Sequence, residues 1–165
     1  MFLNGKEFVS VKEKEMDIKS PQERSQNMSM IKSTCTKPEI FIRSLLHKTG
    51  LRFRVNYSSI VGKPDIYFTK KRVAVFINGC YWHRHKDCKY AYTPKSNTDF
   101  WSKKFIANQQ RDRFVKEQLA QDGVRVLLIW ECNVKKMMVD ENICKELKTD
   151  IIHFIISPNI QYKEI

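Results

Sequence analysis

The 165-residue chain has no apolar run long enough to span a membrane. Its opening stretch, MFLNGKEFVSVKEKEMD, also lacks the uninterrupted apolar segment of a secretory signal. The expectation is a soluble, cytoplasmic protein. Internal repeats and low-complexity tracts are missing too. Cysteines number five, an odd count that suits a disulfide framework poorly. In a reducing compartment, clustered thiols point to a metal instead. Acidic residues are in short supply, with 18 against 30 lysines and arginines, which leaves a formal charge of +12. Such an excess favours a polyanionic partner, nucleic acid first; the plainer alternative is a generally basic soluble protein.

What is present reads as one domain with a core of its own. Residues 1 to about 33 are polar, charged and weakly periodic: an irregular arm with a short helix around Glu23 to Ser33. A first firm helix opens at TKPE, where Thr36 and Glu39 have capping-box spacing and Pro38 fits a first turn. Ile42, Leu45 and Leu46 form its apolar face and Gly50 its stop. LRFRV alternates like a half-buried strand, and DIYF and VAVFIN read as a hairpin turned by TKKR. A long helix runs from about Thr98 to Gln121, with Trp101, Phe105, Val115 and Leu119 near helical spacing and Gly123 ending it. VRVLLIW reads as a central buried strand. A weaker helix around Asp140 to Lys148 and the short apolar IIHFII finish the chain. The order αβββαβα predicts an α/β fold, a mixed β-sheet flanked by helices.

The chemistry concentrates in GCYWHRHKDC, Gly79 to Cys88. Cys80, His85 and Cys88 follow a C-x4-H-x2-C spacing. Cys132, just after the central strand, is placed to complete a Cys3His set of the kind that holds structural zinc. The alternative is two buried thiols and a surface histidine. Cys35 and Cys144 read as ordinary small hydrophobes. His83 is left over, either a general acid or base or a solvated loop histidine. The H-x-E and P-C-x-x-C signature of zinc deaminases is absent. Asp65, after Pro64 and heading DIYF, suits a nuclease magnesium site near a second carboxylate; a turn-forming aspartate is the commoner explanation. Glu39 is the candidate second carboxylate, although its capping box already accounts for it.

Taken together, RSQNMSMIKSTCTKPE, GKPDIYF, VAVFINGCYWHRHKDC, DFWSKKFIANQQRDR and VRVLLIWEC, in that order from Arg24 to Cys132, resemble the very short patch repair (Vsr) DNA mismatch endonucleases of the PD-(D/E)xK nuclease superfamily. The resemblance implies a restriction-endonuclease-like core with a zinc knuckle at 79–88, a DNA-clasping arm over residues 1–35 and a nuclease domain over 36–165. The implied activity is Mg2+-dependent nicking of one strand, 5′ of the thymine in T:G mismatches. Asp65 and the Ile77 carbonyl would hold Mg2+, His83 would activate water, and Glu39 would support the site. Cys80, His85, Cys88 and Cys132 would hold Zn2+, and Tyr81, Trp82 and Trp101 would wedge into the base stack. Core packing is the alternative for Trp101.

Asn78 stands where many members carry a second histidine. It can orient a phosphate or water but cannot exchange a proton near neutral pH. The implied partners are mismatched double-stranded DNA and mismatch-repair proteins, with no membrane, for a monomeric enzyme. Two other readings stay open: a restriction or nicking enzyme of the same fold on unmismatched DNA, and a non-catalytic zinc-stabilised DNA-binding module.

Overall fold

The computed structural model describes residues 34–165 and, before them, Ser20, Gln22, Glu23, Gln26, Ser29 and Met30. The chain divides into two compact units, Met1–Ile31 and Lys32–Ile165. In the first, Gln22, Glu23, Gln26 and Ser29 are helical. Ser20 and Glu23 cap each other there: the Glu23 N–H donates to Ser20 Oγ at 3.2 Å and the Ser20 N–H to Glu23 Oε2 at 2.8 Å. Of the arm read for residues 1–35, residues 1–19 and most of those between Ser20 and Thr34 lie outside the described residues.

The second unit is a five-stranded mixed sheet with helices on both faces. Its strands are β1 (Arg54–Val55), β2 (Ile66–Phe68), β3 (Val73–Asn78), β4 (Arg125–Trp130) and β5 (Tyr162–Glu164), in spatial order β1-β2-β3-β4-β5. The β1/β2 and β2/β3 pairs are antiparallel, and β3/β4 and β4/β5 are parallel. VRVLLIW is the strand flanked by two parallel neighbours, which is why its run is apolar apart from Arg125.

Alternation along β3 and β4 divides the core. Val73, Val75, Leu127 and Ile129 face α1 (Lys37–His47), α4 (Glu131–Met137) and α5 (Glu141–Ile156), meeting Ile42, Leu46, Val134, Met137, Ile151, Phe154 and Ile155. Ala74 and Val126 face the other way and pack with Tyr67, Val124 and Leu119 of α3 (Thr98–Gln121). A one-turn helix, α2 (Cys80–His83), follows β3 directly. Arg125 is buried and donates to the carbonyls of Phe154 at 2.7 Å and Ile155 at 3.0 Å, satisfying groups that the end of α5 leaves open.

Three readings from sequence need correcting. LRFRV forms only the two-residue β1, with Val55 45% exposed. Its sole neighbour β2 is three residues long, and Asn56 at φ 48° turns the chain away. Leu51 and Phe53 still pack on the core from outside any strand. The last helix does not stop at Lys148: Asp140 caps it through Asn142 N and Ile143 N, and it runs on through IIHFII to Ile156. Ile151, Phe154 and Ile155 fall at helical spacing and bury against the sheet, and this burial overrides the weak helix preference of isoleucine. Helix α4 and strand β5 were not read at all. Both are too short to show a period and are made by the sheet they pack on.

Candidate active site and metal knuckle

Asp65 leads into β2 opposite the end of β3. Its Oδ2 accepts the Ile77 N–H at 2.7 Å, and Oδ1 has no donor among the described residues. Burial pushes its pKa up from 3.8 to about 6. Loss of water outweighs the Ile77 hydrogen bond and the positive charges of Arg43 and His83, and the Glu39 charge adds to the rise. A carboxylate with one oxygen tied and the other free, short of solvent, gains from a cation. A carboxylate oxygen suits a hard cation such as Mg2+.

The sign of the pH dependence follows. Between about pH 4 and pH 6 the folded protein holds a proton on Asp65 that the unfolded chain has released, so metal-free stability falls as pH rises through that window. A cation bound at Asp65 would have to displace the same proton. If that cation is the Mg2+ of the reaction, cleavage at subsaturating Mg2+ is expected to rise about tenfold per pH unit below pH 6 and to level off above it. Raising Mg2+ should move the bend to lower pH. A bend indifferent to Mg2+ concentration would detach this limb from Asp65.

Glu39 is almost fully buried at the start of α1. Its Oε1 accepts from the Thr36 hydroxyl at 2.8 Å, and its Oε2 from Cys35 N at 2.9 Å and Arg43 Nη2 at 2.8 Å. Arg43 Nη2 also reaches Asn56 Oδ1 at 3.2 Å and the Asp65 carbonyl at 3.4 Å. The Glu39 carboxylate thus acts on Asp65 by its charge and through Arg43.

His83 ends α2, where its Nδ1 lies 2.6 Å from Asp112 Oδ2 on α3. A carboxylate at Nδ1 holds the proton there and leaves Nε2 as the basic nitrogen, free to accept from a water. Asp112 was missed in the sequence, yet it left a signal. The inward stripe of α3 reads Trp101, Phe105, Asn108, Asp112, Val115 and Leu119, and two polar residues interrupt it. Asn108 donates to the Trp82 carbonyl at 3.0 Å, fixing the other side of α2. Between the middle of α3 and the sheet lies a cleft of about 600 Å3, lined by Asn78, His83, Asp112, Lys116 and Trp130 among others. The Asn78 amide has no partner among the described residues and borders the same space.

The aromatic residues form one half-buried cluster. Tyr81 lies 5.0 Å from Trp82 and 5.7 Å from Trp101, and Trp82 and Trp101 are 6.0 Å apart, centroid to centroid. Phe105 closes the cluster beneath Tyr81 at 5.2 Å, and the exposed Phe100 flanks Trp101 at 5.3 Å. Trp101 is therefore neither a core residue nor isolated.

The ligand atoms of Cys80, His85, Cys88 and Cys132 all lie within 4.8 Å of one another. His85 Nδ1 is 3.6 Å from Cys80 Sγ and 3.3 Å from Cys132 Sγ. A zinc tetrahedron has ligand–ligand edges of about 3.5–4 Å, so the four residues fit one ion closely. Arg84 at φ 56° turns the chain between His83 and His85, so the two histidines face different neighbours. Burial pushes the Cys80 thiol up to about 12, and a bound cation would reverse that by taking the thiolate.

Comparison with known proteins places the chain in a family. The family profile described as DNA mismatch endonuclease Vsr matches residues 16–90. The chain is similar to the type II nicking enzyme V.XorIIP of Xanthomonas oryzae, at 41% identity over 72% of this chain and 86% of that one. Similarity to the type II nicking enzyme V.NmeAIP of Neisseria meningitidis is 42%, over 79% and 89% of the two chains. The DNA mismatch endonuclease Vsr of Escherichia coli K12 matches at 36%, over 80% and 85%. On this evidence the chain belongs to the Vsr family of DNA mismatch endonucleases.

Proposed function

We propose that this DNA endonuclease nicks one strand of double-stranded DNA 5′ of the thymine in T:G mismatches, with Mg2+ at Asp65 and Zn2+ in the Cys80–His85–Cys88–Cys132 knuckle. The observation that carries the catalytic reading is the His83–Asp112 contact, 2.6 Å at Nδ1, which leaves Nε2 as the basic nitrogen at the end of the segment that follows β3. Mg2+, once bound, would offset charge on the phosphate in the transition state. Asp65 would supply the ionised oxygen and the Ile77 carbonyl a neutral one. His83 Nε2 would take the proton of the attacking water while Asp112 holds the imidazole in register. Glu39 with Arg43 would keep Asp65 in place, and Asn78 would offer its amide to a phosphate oxygen.

Tyr81, Trp82 and Trp101 would enter the base stack, where a mismatched step costs less to open than a paired one. The arm before Thr36 would clasp the duplex, and the charge of +12 would make binding strongly salt-dependent. The enzyme would act as a monomer in the cytoplasm; among the described residues no helix is long and apolar enough to cross a membrane.

A second reading has specific support: V.XorIIP and V.NmeAIP, both similar to this chain, carry the name of nicking enzymes. An end-labelled duplex with one T:G mismatch, run with Mg2+ beside its fully paired twin, separates the two. A nick on the thymine strand of the mismatched duplex alone is expected. Equal cutting of the paired twin would make the protein a nicking enzyme without mismatch dependence.

A further inference from the structure

Metal-bound histidines generally donate their second ring nitrogen to a carboxylate or carbonyl, which fixes the ring's plane. His85 does not. With Nδ1 turned to Cys80 and Cys132, its Nε2 has no hydrogen-bond partner among the described residues. Its plane is held by Trp130 instead, whose indole lies parallel to the imidazole at 4.2 Å with 8° between the rings. A stacked ring is only as well placed as the ring beneath it. Trp130 Nε1 donates to Glu164 Oε1 at 2.5 Å, and the other oxygen of Glu164 accepts the Tyr162 hydroxyl at 2.9 Å. The backbone of Trp130 is tied to the same strand end, its N–H donating to the Ile165 carbonyl at 2.8 Å.

We propose that Glu164 is a positioning residue for the metal knuckle: it locks the Trp130 indole, which by stacking holds His85 in ligating orientation in place of a hydrogen bond to Nε2. The inference rests on the reading that the cluster binds a metal ion. The arrangement also ties the knuckle to α3, because Lys116 sits 3.3 Å above the Tyr162 ring, one helical turn beyond Asp112. The strand that anchors the histidine ligand therefore touches the helix that orients His83.

The test is release of Zn2+ from the full chain, loaded with one equivalent and challenged at fixed pH with excess chromogenic chelator. Glu164→Ala is expected to release zinc about 10- to 100-fold faster than wild type, the range for lost outer-shell support. Glu164→Gln, which keeps an oxygen for Trp130, should stay near wild type. In a Trp130→Phe background, which retains a stacking ring but no N–H, Glu164→Ala should add little further. Lys163→Ala, on the same strand as Glu164, removes the 3.1 Å pair with Asp150 of α5 without touching Trp130, and should leave release unchanged.

Equal release from Glu164→Ala and wild type would overturn the inference, as would an undiminished effect of Glu164→Ala in the Trp130→Phe background. Equal acceleration by Lys163→Ala would reduce Glu164 to a strand-docking role. A wild-type protein that retains no zinc would overturn the metal reading itself, a result distinct from all of these.

Discussion

Replacing His83 by alanine is expected to lower kcat by about two to four orders of magnitude, the usual contribution of a positioned general base, while DNA binding is retained. The contrast with Asp112→Asn makes the result informative. Asparagine keeps the shape of the 2.6 Å contact at Nδ1 but no longer fixes which nitrogen carries the proton. Its amide can donate to Nδ1 and leave the proton on Nε2, where it blocks acceptance from water. Part of the population still holds the working tautomer, so the loss should be smaller, on the order of 10- to 100-fold, and should fall on kcat rather than KM. Single-turnover cleavage with enzyme in excess measures both. Equal losses in the two variants would mean that Asp112 does more than orient the ring. Full activity in His83→Ala would remove the histidine from the chemistry.

Removing the zinc proposed for the knuckle is expected to give the second large effect. If the ion stands about a thousandfold above its dissociation constant, it stabilises the fold by about 4 kcal/mol. Removal should then lower the melting temperature by roughly 10–15 °C. Cys132→Ser should reproduce most of that loss, because Cys132 is the one ligand outside the 79–88 stretch and ties it to the end of β4. Activity should vanish with the metal, since His83 lies between the ligands Cys80 and His85 in sequence. Added Mg2+ alone should not restore it, and Zn2+ followed by Mg2+ should. Identical melting with and without chelator, in protein shown to contain zinc beforehand, would sink the structural role.

Much of this was legible in the sequence, for physical reasons that differ by element. The helix from Thr98 to Gln121 and the hairpin of DIYF and VAVFIN carry their own period, stop and turn, and the structure has them where the residues put them. The knuckle was legible because ligand chemistry needs particular side chains at a particular spacing, and Cys132 could be added from strand order alone. Asp112 was not, because a single aspartate on a charged helix looks solvated until the fold turns it toward His83. Arg43 was hidden for the same reason: it reads as an exposed helical arginine, yet it gathers Glu39, Asn56 and the Asp65 carbonyl. The tail after Cys132 was obscure because α4 and β5 are stabilised by what they cover and not by local preference.

Strands β3 and β4 run in register from Val73 beside Arg125 to Asn78 beside Trp130. Each then turns at once into the segment that carries function, α2 on one side and Cys132 on the other. The two strand ends act as a single gauge block, and every distance at the site is measured from it. One residue inserted in either strand would turn its side chains to the opposite face and separate Cys132 from Cys80. Length variation among relatives should therefore gather in 89–97, outside the gauge, where added residues leave the calibration intact.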